Sequence, residues 1–216
     1  MPKVQIPKRD PGLRIRNSRF EHCFGFRTSN FEFSDAAAFT LIELLVVIAI
    51  IIILGSLILS TVGYVQKKGA RSRAEAEIAA ISAALESYKA DNGIYPTDAT
   101  ATDSLDPAAS INLTNYAAAT LYLYKQLTGD SNADRQISGG ETGRNYFAFK
   151  PNQLSPTDQT LNVTAIRDPF GNSYGYSTAK ASNPSGTVGN NPTFDLWSTV
   201  GVTGGSPNQT QWIKNW

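Results

Sequence analysis

One apolar run limits what the rest of the chain can do. Residues 39–62 read FTLIELLVVIAIIIILGSLILSTV, and the only charged side chain among them is Glu43. About 20 apolar residues in a helix cross the hydrocarbon core of a bilayer, so the run predicts a transmembrane helix. A carboxylate in such a helix costs about 2.5–3.5 kcal/mol at the bilayer centre and less near the interface. Glu43 stands near one end of the run, and its charge predicts a partner there.

The flanks set the expected orientation. Lys3, Lys8, Arg9, Arg14, Arg16, Arg19 and Arg27 precede the run, against Asp10, Glu21, Glu32 and Asp35. The positive-inside tendency then keeps the N-terminal segment in the cytoplasm and exports the long C-terminal part. Residues 1–38 read as a leader, because Pro2, Pro7, Pro11 and Gly12 break any regular element. Small residues Ala36, Ala37 and Ala38 stand before the apolar run. A secretory signal peptide carries its small-residue cut after the run. A cut placed before it leaves the helix on the mature protein.

Chemistry of catalysis finds no footing. The only cysteine, Cys23, neighbours the only histidine, His22, in the leader, and reads as an incidental thiol. The exported part therefore holds no disulfide. There is no Gly-x-Ser-x-Gly setting and no phosphate-cradling glycine loop, so neither an enzyme nor an organic cofactor is expected. A net charge of +1 gives no reason to expect nucleic acid.

Beyond residue 62 the helix is expected to continue. No proline occurs from Phe39 to Tyr95, and Ala70, Ala74, Ile78, Ile81, Leu85 and Tyr88 recur at spacings of three and four. The helix should reach about Ala90, roughly 75–80 Å at 1.5 Å per residue, and stop at Asp91-Asn92-Gly93. Residues 97–107 read as a loop. A second helix is expected from Thr114 or Asn115 to Leu127, capped by Thr114 and ended by Gly129. Strand patterns follow at 145–150, 161–166, 173–178 and 193–199, with a turn at Asp168-Pro169-Phe170-Gly171-Asn172 and a loop at 179–192. The fold class is α+β: a long N-terminal helix, transmembrane in its first half and amphipathic in its second, packed on a small antiparallel sheet. The organisation is leader 1–38, membrane helix 39–62, amphipathic continuation 63–92 and globular head 93–216.

Residues 130–141 carry the sharpest local pattern. Asp130, Asn132 and Asp134 alternate, Gln136 offers a carbonyl, Ser138 offers a hydroxyl and Glu141 closes the series. These positions match the oxygen ligands of a calcium loop of the EF-hand type. Arg135 stands where such loops prefer glycine. The bland alternative is a polar loop punctuated by Asx turns.

The block Phe39-Thr40-Leu41-Ile42-Glu43-Leu44-Leu45-Val46-Val47-Ile48-Ala49-Ile50, preceded by a small residue, resembles the type IV pilin-like family. Asp168-Pro169-Phe170-Gly171-Asn172-Ser173-Tyr174, Phe194-Asp195-Leu196-Trp197-Ser198 and the Asn215-Trp216 ending are similar to the major pseudopilins of type II secretion within that family. Ala38 stands where the family usually has glycine, and the leader is longer than many in the family. The resemblance implies a pilin-like fold, cleavage between Ala38 and Phe39 by prepilin peptidase, and N-methylation of Phe39. Glu43 would then pair with the amine freed at Phe39, in its own chain or in a neighbour. Pairing of that kind helps offset the desolvation of both charges. The partners implied are further copies in a homo-oligomeric helical filament, minor pseudopilins and an inner-membrane assembly platform. The implied function is a structural subunit of a pseudopilus that drives protein export, with its head outside the cytoplasm. The alternatives are a pilin of a surface fibre and a single-pass anchored binding module. Members of the pseudopilin group usually carry acids that bind calcium in the loop matching 199–211. Here that loop has no Asp or Glu, so calcium, if used, is expected at the loop beginning with Asp130.

Overall fold

The first helix, α1, runs over Leu41–Asn92, 52 residues. The computed structural model describes residues 39–137, 141 and 143–216. The leader with Cys23 and Ala38, and Ser138 of the acidic loop, lie outside the described residues. Helix α1 ends where the sequence suggests. Gly93 takes the left-handed conformation, φ +80°, and its amide donates to the Lys89 carbonyl at 2.8 Å. The chain divides inside α1, with residues up to Ala49 in one unit and Ile50–Trp216 in the other.

In the second unit α1 buries one stripe. Ala74, Ile78, Ile81, Ala84 and Leu85 are buried and share a cluster with Leu123, Leu127, Ile166, Tyr174, Tyr176 and Leu196. Polar bonds fix the register of helix on head. Tyr174 Oη donates to Glu77 Oε2 at 2.7 Å, and Tyr88 Oη donates to Gln126 Oε1 at 3.0 Å. Tyr176 is buried with its hydroxyl on the Pro96 carbonyl at 2.7 Å.

The second helix, α2, spans Leu113–Thr128. Its cap is Asn112, whose Oδ1 accepts from the amides of Thr114 and Asn115 at 3.1 and 3.3 Å. Thr114, the cap expected from sequence, lies instead within the first turn. An Asn two residues upstream caps at least as well as a Thr and lets the helix start earlier. Gly129 ends α2 at φ +80°, pressed against Gly143 so closely that a Cβ would lie 2.6 Å from its carbonyl oxygen.

Two small antiparallel sheets complete the head. Strands β1 (Leu154–Ser155) and β2 (Ala165–Ile166) pair Leu154 with Ile166. Strands β3 (Gly175–Ser177), β4 (Asp195–Ser198) and β5 (Ile213–Lys214) form the second sheet in the order β3-β4-β5. The α+β expectation holds, with shorter strands than the sequence suggests. Residues 145–150 make no strand, because the amides of Tyr146 and Phe147 both donate to the Leu127 carbonyl, at 2.7 and 3.1 Å, and so finish α2. Of the run 161–166 only Ala165–Ile166 pairs as a strand. The Val163 amide is drawn instead to the Ala133 carbonyl at 2.7 Å. A short helix, α3 (Ala179–Ser182), occupies part of the expected 179–192 loop.

Strand β4 is buried on both faces. Leu196 belongs to the core with α1, while Trp197 belongs to a second cluster with Leu105, Ile111, Tyr116, Ala119 and Trp212. Gly175 is the register partner of Trp197, and the indole fills the space a side chain there would take.

Candidate functional site

The start of α1 is built as a helix terminus. Thr40 Oγ1 accepts from the Glu43 amide at 3.2 Å, and the Thr40 carbonyl accepts from the Leu44 amide at 3.2 Å. Thr-x-x-Glu is the spacing of a capping box, and Glu43 lies in the first turn, where the helix dipole favours an anion. Glu43 therefore has a local reason to be acidic as well as the proposed pairing. Phe39 immediately precedes the cap and is 74% exposed. Among the described residues, the large apolar side chains from Phe39 to Leu59 are exposed, and none of the most apolar window of α1 is buried. So large a continuous apolar surface marks a membrane or partner contact. By length and composition α1 can cross a bilayer.

The 130–141 loop brings Asp130, Asn132, Asp134 and Glu141 into one bonded unit. Asp130 is buried. Its Oδ1 accepts from the Asp134 amide at 3.2 Å, and its Oδ2 from the Arg135 amide and the Tyr124 hydroxyl, both at 2.8 Å. Burial, then the bond to Asp130, pushes the Tyr124 phenol well above its ordinary value. Asn132 Oδ1 accepts from the Asp134 amide at 2.9 Å, and Asp134 Oδ1 from the Gln136 amide at 2.8 Å. Glu141 Oε1 accepts from the amides of Ser131 and Asn132 at 2.6 and 3.2 Å. Arg135, the apparent misfit, adopts φ +71°. It thus takes the left-handed conformation that glycine would supply. Its guanidinium is carried out of the loop to the carbonyls of Leu161 and Pro156, at 2.8 and 2.6 Å. Among the described residues, no group of three or more His, Cys, Asp or Glu side chains converges as a metal site. The carboxylates here serve as acceptors for backbone amides.

The C-terminal turn is closed by neutral donors. Asp168, buried, accepts from the amides of Phe170 and Asn172 at 3.0 and 2.9 Å and from the Ser198 hydroxyl. Burial raises its pKa, and these bonds pull against that rise. Asn172 Nδ2 donates to Thr199 Oγ1 at 3.2 Å and to the Val202 carbonyl at 3.0 Å. The 199–211 loop offers a calcium ion no carboxylate, and such a site does not fit it. The amide of Asn172 ties its first turn instead. Sequence reasoning singled out the Asp168 turn but not the Asn172 side chain. An Asn two residues before a Tyr carries no signal that it reaches a segment 27 residues away.

The family model described as "Type II secretion system (T2SS), protein G" matches residues 61–137. That stretch covers the second half of α1, α2 and most of the acidic loop, and so lies between the N-terminal block at 39–50 and the C-terminal motifs at 168–174, 194–198 and 215–216 that carry the sequence resemblance. Among curated proteins, the chain is 39% identical over 137 residues to a type II secretion system core protein G of Aeromonas hydrophila, covering 61% of this chain and 94% of that protein. It is 35% identical over 132 residues to the core protein G of Klebsiella pneumoniae, covering 59% and 94%. The core protein G of Dickeya chrysanthemi is 29% identical over 127 residues, covering 57% and 82%. No solved structure matches the chain. Near-complete coverage of relatives above 30% identity, together with an apolar helix continuous with an α+β head, places this chain in the type II secretion system core protein G family.

Proposed function

We infer that this chain is a structural subunit of a type II secretion pseudopilus. The observation that carries it is the single helix α1, apolar and exposed through residue 59, then buried against the head from Ala74 onward. Such a helix serves a subunit that waits in the inner membrane and later shares its apolar half with neighbours. In this reading prepilin peptidase cuts between Ala38 and Phe39, Phe39 is N-methylated, and the head lies outside the cytoplasm. Glu43 pairs with the freed amine, in its own chain or across a subunit boundary. The assembly comprises further copies of the chain and minor pseudopilins, raised from an inner-membrane platform. Two measurements test it. Mass spectrometry of the mature protein should find N-methylated Phe39 at its start. The Glu43→Ala variant should be cleaved and inserted but fail to enter filaments. A different mature N-terminus, or filaments of the variant at wild-type yield, contradicts the corresponding step.

A second reading concerns the 130–141 loop, for which we propose weak calcium binding by Asp130, Asn132, Asp134, the Gln136 carbonyl, Ser138 and Glu141. Arg135 supports it, since its backbone takes the left-handed turn and its charge is directed away. Extracellular calcium modules work at about 10⁻⁴–10⁻³ M. Calorimetry should show heat at millimolar calcium that Glu141→Ala abolishes, and a flat titration rejects the site.

A further inference from the structure

Just beyond the apolar run, α1 turns basic on one face. Tyr64, Lys67, Lys68 and Arg71 follow the i, i+3, i+4, i+7 spacing of a single helical stripe. Tyr64 is 71% exposed, and both lysines are exposed. Arg71 is held in place, donating to the Gln211 carbonyl at 2.9 Å and pairing with Glu75 at 3.3 Å. This stripe forms one wall of a cleft of about 540 Å³, whose other wall is Phe170, Val200 and Gln211 of the head. Among the described residues no carboxylate lines it, Glu75 meeting Arg71 from outside the lining. The cleft therefore combines three cationic side chains with aromatic and aliphatic surface.

Its height along the helix is informative. At 1.5 Å per residue, Lys67 stands about 8 Å and Arg71 about 14 Å beyond Val62. The polar layer on each side of a bilayer is about 5–8 Å thick. Long helical side chains lean towards the N-terminus of their helix, which here means back towards the apolar run. Lysine stems also extend so that the ammonium reaches the polar layer. Both effects carry the charges of Lys67 and Lys68 down to the level of lipid phosphates, with Tyr64 at the interface where aromatic residues collect. With the head exported, four basic residues, Lys67, Lys68, Arg71 and Arg73, flank the far side of the span within 20 residues, against Arg19 and Arg27 on the near side. Basic residues beside a span favour the cytoplasmic side, so these four oppose the orientation that the seven basic residues of the whole leader set, and topology does not account for them.

We propose that this cleft binds the headgroup of an anionic phospholipid in the leaflet from which α1 emerges, Lys67 and Lys68 holding the phosphate and Tyr64, Phe170 and Val200 contacting its glycerol and upper acyl carbons. The inference rests on α1 spanning a membrane. Lipid held here seats the head at a fixed height before assembly, and release from that lipid accompanies extraction into a filament.

The test uses the full chain reconstituted into nanodiscs of phosphatidylcholine and phosphatidylglycerol at three to one. Lipids that stay with the protein through mild detergent extraction are then quantified by mass spectrometry. A basic residue at an anionic surface contributes about 1 kcal/mol, roughly fivefold in partition. Wild type should retain phosphatidylglycerol enriched about fivefold or more over the bulk ratio. Lys67→Gln/Lys68→Gln should bring the retained ratio to within about twofold of bulk, and Arg73→Gln, outside the cleft, should leave the enrichment in place. A bulk lipid ratio for wild type overturns the proposal, as does an equal loss with Arg73→Gln, which would mean diffuse charge. A double lysine variant that keeps the enrichment but fails to form filaments assigns the cleft to a neighbouring subunit and also overturns it. Failure of the wild-type chain to enter the nanodisc bilayer refutes the membrane reading itself, and this proposal with it.

Discussion

Gly175→Ala should destabilise the head far beyond what a single methyl normally does. A Cβ built on Gly175 would lie 2.0 Å from Trp197 Cε2, 2.2 Å from Cζ2 and 2.6 Å from Cδ2. Carbon atoms in contact sit about 3.5–4.0 Å apart, so the indole or the strand must move by roughly 1.5 Å. The indole is fully buried and hemmed in. It stacks on Trp212 at 6.1 Å and 3°, meets Trp216 edge-on at 5.9 Å and meets Tyr116 edge-on at 5.3 Å. Strand β3 is no freer, since its three residues are buried and paired to β4. Overpacking of this kind costs about 1–3 kcal/mol, and with neither side able to yield we expect about 3 kcal/mol. With a urea slope of about 1–3 kcal/mol per molar, the midpoint should fall by roughly 1–3 M. The assay is urea unfolding of the full chain in detergent, followed by tryptophan fluorescence. All three tryptophans, Trp197, Trp212 and Trp216, sit in this cluster, so the signal reports on the site itself. In a Trp197→Val background the same glycine substitution should cost under about 1 kcal/mol, a coupling of about 2 kcal/mol within the range seen for touching residues. A single variant within about 0.5 kcal/mol of wild type, or a cycle without coupling, refutes the packing argument.

Asn112→Ala should lower stability by about 1 kcal/mol through loss of the α2 cap, whereas Thr114→Ala should be nearly silent; urea unfolding of both separates the two candidate caps. Tyr174→Phe removes the bond to Glu77 and should cost about 1.5–3 kcal/mol, as for hydrogen bonds to charged groups. A matching loss in the Glu77→Gln background would show that the bond is not what the hydroxyl contributes. Alkali should unfold the head progressively. Burial, the largest cause in each, raises the phenols of Tyr116, Tyr174 and Tyr176 above their ordinary 10.0. A raised folded pKa means stability is intact below 10.0 and is lost as pH rises above it, because the unfolded chain releases those protons first. Thermal unfolding monitored at pH 8 to 12 should show a flat region followed by a decline, and a flat profile throughout contradicts the burial of these hydroxyls.

The sequence by itself determined the long helix to within two residues at each end, because helix and membrane both leave periodic or continuous apolar signatures and Gly93 marks the stop. It also marked Gly129 as the end of α2 and the Asp168 turn, both local backbone requirements written in one or a few residues. Tertiary structure decided the rest. Residues 145–150 read as a strand but their amides were needed by the end of α2, which only the fold brings near. Strand β4 is buried on both faces, so its alternation is hidden in the run Phe194-Asp195-Leu196-Trp197. Arg135 looked like a defect in its loop until Leu161 and Pro156 supplied the carbonyls that draw its charge outward. The basic stripe at Tyr64, Lys67, Lys68 and Arg71 was equally visible as letters, but it became a cleft only when Phe170 and Val200 were folded opposite it. Local spacing encodes what a segment can be, whereas long-range hydrogen bonds and the facing side chains of distant segments decide which of those possibilities it becomes.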